Sequence, residues 1–228
     1  MSEKDFIPDL QFKYSKEFKP YYFSDRENMI RIAMEYVKSS RLNGDYLEFG
    51  VHKGSTLQAA FHLARREQLF DMLFYAFDSF AGMPKSKGVD KADNLDQFTQ
   101  GQYACSHEEF ENTISSNGVD LKKIHTIPGW FDDTLTSATK EDLSINKAAV
   151  IWVDCDLYSS TVPVLEFVTD ILQTGTILCF DDWFSFLGRT DRGEQKAFYE
   201  WREKYPHIQC IDYHLFGKWG KSFIVNLS

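Results

Sequence analysis

The stretch "GDYLEFGVHKGST", residues 44–56, decides the fold. "DYLEFG" is short, apolar and β-prone, and reads as a buried strand. Gly50 and Gly54 punctuate the turn that follows. From Ser55 to about Gln68, Leu57, Phe61 and Ala64 recur at helical spacing. Strand, glycine turn and helix form the opening unit of a parallel sheet whose faces are covered by helices.

The rest of the chain keeps that rhythm. Upstream, Ser24 with Glu27 three residues later is a capping-box signature. It opens a helix carrying Ile30, Met34 and Val37, expected to end near Asn43 and Gly44. Downstream the pattern predicts a strand at 72–78, a helix at about 106–116, a strand at 123–129 and a short helix in "WFDDTLTSA" (130–138). A strand at 148–154, a helix at 160–173, a strand at 175–181, a helix at about 193–204 and closing strands near 208–213 and 221–226 complete it. The expectation is a single α/β domain over residues 1–228, built on a mostly parallel sheet with helices on both faces.

Two segments break the pattern. Residues 1–23 are irregular and rich in aromatics, including Phe6, Phe12, Tyr14, Phe18 and Tyr21. They are expected to form an arm that covers a site or packs on a partner, or one that docks on its own domain. Residues 79–104 are polar, with Gly82, Gly88, Gly101 and Pro84. So long a loop in a compact domain is usually functional or mobile, and at most a short helix is expected in it.

Composition narrows the function classes. Of the 228 residues 43% are hydrophobic, enough for a sizeable α/β core. The net charge of −9, with no basic run, argues against nucleic-acid partners. No apolar run reaches the roughly 18 residues of a membrane-spanning helix, and the N-terminus lacks a signal-peptide core. A soluble, cytoplasmic protein is expected. Cys105, Cys155, Cys179 and Cys210 are far apart, so neither a zinc ribbon nor a disulfide framework is expected. Cys155 and Cys179, in apolar runs, read as buried reduced thiols.

In an open α/β sheet, ligands bind outside the carboxyl ends of the strands. A dinucleotide site would show G-x-G-x-x-G there; this chain has Gly50 and Gly54, with Glu48 at the strand end. A carboxylate repels a pyrophosphate and attracts a cation. S-adenosylmethionine carries a sulfonium and an ammonium and has no phosphate. The next strand ends in Asp78, placed to accept hydrogen bonds from ribose hydroxyls. The plain alternative for the glycines is a tight strand-to-helix turn.

The acids of "VDCDLYSST" (153–161) and "FDDW" (180–183) are the second constellation. Asp154 and Asp181 each end a strand; neighbouring strands lie about 4.8 Å apart, so the two carboxylates would face one opening. Several clustered carboxylates are costly unless a cation joins them. All-oxygen donors indicate a hard ion, Mg²⁺ first and Mn²⁺ or Ca²⁺ next. On this reading Asp154, Asp181 and Asp182 hold the metal and Asp156 is the base for a chelated hydroxyl. The competing reading is helix capping, in which Asp156 or Ser159 caps the 160–173 helix.

"GDYLEFGVHKGST", "AFDSFAGMP", "PGWFDDTL", "VDCDLYSST" and "FDDW", in this order and spacing, resemble the TylF-type macrocin O-methyltransferase family. The resemblance runs from about Ser24 to the C-terminus. It implies a class I methyltransferase with a seven-stranded sheet, dependent on S-adenosylmethionine and Mg²⁺, methylating sugar hydroxyls of natural products, usually as a homodimer. Asp154, Asp181 and Asp182 match the family's metal ligands and Asp156 its general base. Glu48, Gly50, Gly54, Ser55, Asp78 and Ser79 match its cofactor-binding positions, and Trp130 is expected beside the adenosine or in the core.

The chain departs from the family in two ways. His52 replaces a common Trp, and the N-terminal region is shorter than the lid of macrolide enzymes. A glycan or smaller glycoside is therefore as plausible an acceptor as a macrolide. A catechol-type O-methyltransferase is the alternative enzyme, although that class typically pairs Asp with Asn and uses a lysine base. A non-catalytic nucleotide- or sugar-binding module is the third reading. His107, His125 and His214 sit outside the carboxylate clusters and read as structural or solvated.

Overall fold

The computed structural model describes residues 24–91 and 98–228; the arm expected over 1–23, and residues 92–97 of the expected loop, lie outside the described residues. The strands are β1 (Asp45–Phe49), β2 (Phe74–Asp78), β3 (Ile124–Pro128), β4 (Ala148–Val153), β5 (Ile177–Phe180), β6 (Ile208–Phe216) and β7 (Gly220–Leu227). The helices are α1 (Asp25–Ser39), α2 (Ser55–Arg66), α3 (His107–Ser116), α4 (Phe131–Thr134), α5 (Ser137–Asp142), α6 (Tyr158–Val168) and α7 (Gly193–Lys204).

The seven strands form one sheet in the order β3-β2-β1-β4-β5-β7-β6. The first five pair in parallel, and the β6–β7 hairpin closes the sheet antiparallel against β5. The chain winds outward from β1 in one direction and from β4 in the other. The carboxyl ends of β1 and β4 thus flank the topological switch point, where such sheets bind ligands.

Alternation sorts the side chains. Tyr46 of β1, Ala76 of β2, Trp152 of β4 and Cys179 of β5 pack with α1 and α2 through Met29, Ile30, Ala33, Leu57 and Phe61. Leu47, Phe77, Ile151, Val153, Leu178 and Phe180 face α6 and α7 through Val164, Phe167, Phe198 and Trp201. Burying each such large side chain is worth about 1.5–3 kcal/mol, which is what holds the strand ends in fixed positions. Cys155 and Cys179 are buried and free, as expected.

Several boundaries differ from the sequence reading. The capping box forms, with the Ser24 hydroxyl accepting from the Glu27 amide, but α1 stops at Ser39 rather than near Gly44. "WFDDTLTSA" contains α4 and the start of α5 instead of one short helix, because the Thr136 hydroxyl caps a new start. The helix expected at 160–173 is α6, which begins two residues earlier and gives way to a 3-10 turn at Thr169–Ile171. Among the described residues no helix is long and apolar enough to cross a membrane.

Candidate active site

Parallel register assembles the acids. Val153 of β4 pairs with Phe180 of β5, so the next residues, Asp154 and Asp181, leave the sheet side by side. The ladder continues through them: the Asp154 amide donates to Phe49 O at 2.9 Å and the Asp181 amide to Val153 O at 2.9 Å. Asp154 follows Trp152 by two positions and Asp181 follows Cys179 by two, so both continue the α1 face of the sheet. Oxygen atoms of Asp154, Asp181 and Asp182 lie within 4.8 Å of one another. Asp156 is turned toward the same place by a left-handed backbone (φ 58°), which Asp tolerates better than most residues.

The acids of the cluster strain against one another. Burial, and then the charge of neighbouring acids, push the carboxyls of Asp154 and Asp156 well above the usual carboxylate range. Burial raises Asp181 and Asp182 as well. Arg26, in the first turn of α1, offsets part of this. Its guanidinium lies 3.2 Å from Asp154 Oδ2 and bonds to Asp181 Oδ2. A compact all-carboxylate donor set, buried and mutually repelling, fits a hard divalent ion and suits a soft one poorly.

The cofactor candidates surround the neighbouring strand end. Glu48, 1% exposed, accepts a 2.5 Å hydrogen bond from the Tyr46 hydroxyl. Burial raises its carboxyl to about 8, against the lowering pull of Tyr46 and Arg26. Asp78 Oδ2 accepts from the amides of Val51 and His52, each at 2.9 Å, and Oδ1 from Phe80 N at 2.7 Å. Asp78 therefore braces the glycine turn with Oδ2 and the start of its own following loop with Oδ1. A Cβ on Gly50 would lie 1.9 Å from Asp154 O, so glycine is what lets β1 and β4 end in contact.

These groups share one cavity of about 720 Å³. Glu48, Gly50, Ser55, Asp78, Ser79, Trp130, Asp154, Asp156 and Asp182 line it, together with Arg26, His52 and Tyr103. Gly54 and Asp181 stand back from its wall. Gly54 is the left-handed N-cap of α2, and a Cβ there would strike Ile114 and Phe110 of α3. The Ser79 hydroxyl is engaged in a tight turn, donating to Gly82 O. Trp130 is 41% exposed and so is a wall residue, not a core aromatic. The His52 ring packs edge-on against Tyr103 at 5.9 Å.

Three participants escaped the sequence reading. Arg26 is remote from the aspartates in sequence, and only the α1 face of the sheet brings it near. Glu194, 1% exposed in the first turn of α7, accepts from the Asp182 amide at 3.0 Å and so fixes that residue's backbone. Asp90, in a 3-10 turn at Gly88–Lys91, accepts from the amides of Tyr158 at 2.9 Å and Ser159 at 3.1 Å. It caps α6 across the fold, which corrects the reading that Asp156 or Ser159 would do so. Met83 from the same segment packs with Leu157 and Phe186, so this part of the expected loop is docked over the aspartate end of the cavity.

Sheet order and cavity define a class I methyltransferase-type α/β fold with an acidic centre beside the glycine turn. The chain matches the family described as macrocin O-methyltransferase (TylF) over residues 23–213, and it belongs to that family. It is 28% identical over 69% of its length to the mycinamicin III 3''-O-methyltransferase of Micromonospora griseorubida, covering 62% of that protein. It is 30% identical, again over 69% of its length, to an 8-demethyl-8-(2,3-dimethoxy-alpha-L-rhamnosyl)-tetracenomycin-C 4'-O-methyltransferase of Streptomyces olivaceus, covering 60% of it. The matches thus span about three fifths of these relatives. The solved O-methyltransferase NovP superposes with a TM-score of 0.74 at 25% identity, covering 88% of this chain and 79% of that one.

Proposed function

We propose that the chain is an S-adenosylmethionine-dependent, divalent-metal-dependent O-methyltransferase acting on a sugar hydroxyl of a glycan or glycosylated natural product. The observation that carries this reading is the meeting of two constellations on one cavity. The Glu48–Gly50–Asp78 strand end abuts the Asp154–Asp156–Asp182 strand end, with the Gly50 position almost touching Asp154 O. The Streptomyces olivaceus relative carries a rhamnosyl group in the name of its substrate, which supports a sugar acceptor here.

S-adenosylmethionine, when bound, supplies a methyl group activated by its sulfonium. A divalent ion, when bound, lowers the pKa of a hydroxyl that it contacts. The chain's residues do the rest. Gly50, braced by Asp78, lets the cofactor approach the backbone, and Glu48 presents a carboxyl to a cationic ligand. Asp154, Asp181 and Asp182 would hold the ion, and Glu194 keeps Asp182 in place. Asp156 takes the acceptor's proton on a carboxylate oxygen; it would do so as a positioned general base. Methyl transfer from the sulfonium to the acceptor oxygen would leave a methyl ether, with the acceptor's proton held on Asp156.

The test is methyl transfer from isotope-labelled S-adenosylmethionine to a panel of glycosides and catechols, with EDTA and with added Mg²⁺. Label on a glycoside, lost in EDTA and restored by Mg²⁺, is the expected result. Label on catechols alone would favour the catechol-type alternative. Full transfer in EDTA would remove the metal. A homodimer is proposed with this reading, and light scattering checks it.

A further inference from the structure

Arg26 has no part in the mechanism above, yet it occupies the centre of the charge cluster. It lines the cavity, and its guanidinium bonds to carboxylate oxygens of both Asp154 and Asp181. These are two of the three acids whose oxygens converge within 4.8 Å. The charges of Asp154, Asp181 and Asp182 in turn raise the Arg26 pKa against burial. An ion that is to touch both the aspartates and an acceptor in the cavity must approach from the cavity side, where the guanidinium sits. Mg²⁺ needs direct carboxylate contact at about 2.0–2.1 Å and tolerates little distortion of its shell. A second cation bonded to the same acids repels it.

Arg26 is also built to leave. It is 47% exposed, on a long side chain in the first turn of α1, just after the exposed cap Ser24. The backbone of α1 is held instead by Met29, Ile30 and Ala33 in the core, so the side chain can swing away without moving the helix. We propose that Arg26 is an exchangeable counter-cation of the Asp154–Asp181–Asp182 cluster, whose charge it offsets in part until a divalent metal displaces it. Metal loading and release of Arg26 from the cluster are then a single exchange. The inference rests on the metal reading given above.

The experiment is Mn²⁺ titration of the whole chain by calorimetry and by electron paramagnetic resonance, for wild type, Arg26→Gln and Arg26→Lys. S-adenosylhomocysteine binding serves as the check on folding. Removing the competitor should tighten Mn²⁺ binding in Arg26→Gln by about tenfold or more. Arg26→Lys, which keeps the charge, should stay nearer to wild type. Unchanged or weaker Mn²⁺ binding in Arg26→Gln would overturn the exchange and make Arg26 a residue that positions the ligands. Absence of Mn²⁺ binding in every variant would instead remove the metal reading, and the exchange with it. A measurement on wild type needs no variant to fold: in ¹⁵N spectra the Arg26 Nη1 and Nη2 hydrogens, which face Asp154 and Asp181, should lose protection from solvent exchange when Mg²⁺ is added. Protection that persists at saturating Mg²⁺ would also overturn the proposal.

Discussion

The Asp90 carboxylate grips the start of α6 through the backbone amides of Tyr158 and Ser159, at 2.9 and 3.1 Å. These amides lie two and three residues beyond Asp156. One side chain thus caps a helix that has no cap of its own and ties the 79–91 segment to the proposed base. Met83 against Leu157 makes a second tie at the same spot.

Asp90→Ala should therefore have a double effect. Loss of the cap is worth about 1 kcal/mol. For a chain of this size that lowers the melting temperature by about 2–4 °C. The freed segment should also raise KM for the acceptor by more than it weakens S-adenosylhomocysteine binding, because Asp78 still holds the 51–52 and Phe80 amides at the other end of the cavity. Calorimetric melting and two titrations check this; equal losses at both ligands would contradict it.

Gly50→Ala should be among the most damaging single changes in the chain. Its φ of +91° already disfavours a side chain, and the added Cβ would overlap Asp154 O at 1.9 Å. Gly118→Ala is the control, with a similar φ of +82° but only an ordinary contact, 3.7 Å from His62 Cε1. Gly118→Ala should cost about 1–2 kcal/mol from backbone strain alone. Gly50→Ala should cost more than about 3 kcal/mol and should also weaken metal binding, by shifting the Asp154 backbone. Urea unfolding of both variants compares them; equal losses would mean that the contact is relieved elsewhere.

Much of this was legible in the sequence, for physical reasons that can be named. The β4 and β5 runs end in acids at matching places, so parallel pairing alone puts Asp154 beside Asp181, and Val153 does pair with Phe180. Glu48 and Asp78 could be placed at the cavity because each ends a short apolar strand. What escaped the sequence depends on long-range packing. Arg26 meets Asp181 across 155 positions and Asp90 meets Tyr158 across 68, and no local pattern encodes either contact. The left-handed turn at Asp156 and the double grip of Asp78 on the 51–52 amides are backbone events that residue type only permits. The starts of α5 and α6 also escaped, because the Thr136 hydroxyl and the distant Asp90 carboxylate, rather than the apolar period, decide those caps.

The pH dependence of stability should carry the mark of Glu48. Burial holds its carboxyl at about 8 in the folded chain, whereas an unfolded Glu titrates at about 4.3. A raised folded value means that the folded state keeps a proton the unfolded state has released. This contribution is fully present below about pH 4 and is lost as pH rises through about 8. Metal-free wild type should therefore lose a few kcal/mol relative to Glu48→Gln between about pH 5 and pH 8. Urea unfolding of both proteins at several pH values tests the sign; parallel curves would show that Glu48 does not keep its proton.

Asp154 and Asp156 should separate cleanly under substitution by asparagine. Asp156 stands at φ 58°, a left-handed conformation that Asn tolerates as readily as Asp, so Asp156→Asn removes a charge without new backbone strain. The variant should retain Mn²⁺ and S-adenosylhomocysteine binding and lose about 10²–10⁴-fold in turnover, the usual contribution of a positioned base. It should also lose the rise in rate with pH, since no carboxylate remains there to deprotonate. Asp154→Asn has the opposite profile. It removes one of three converging carboxylates, so Mn²⁺ affinity should fall, and excess Mn²⁺ should recover part of the rate. If excess Mn²⁺ rescues Asp156→Asn as well, the two residues share the metal and the base lies elsewhere.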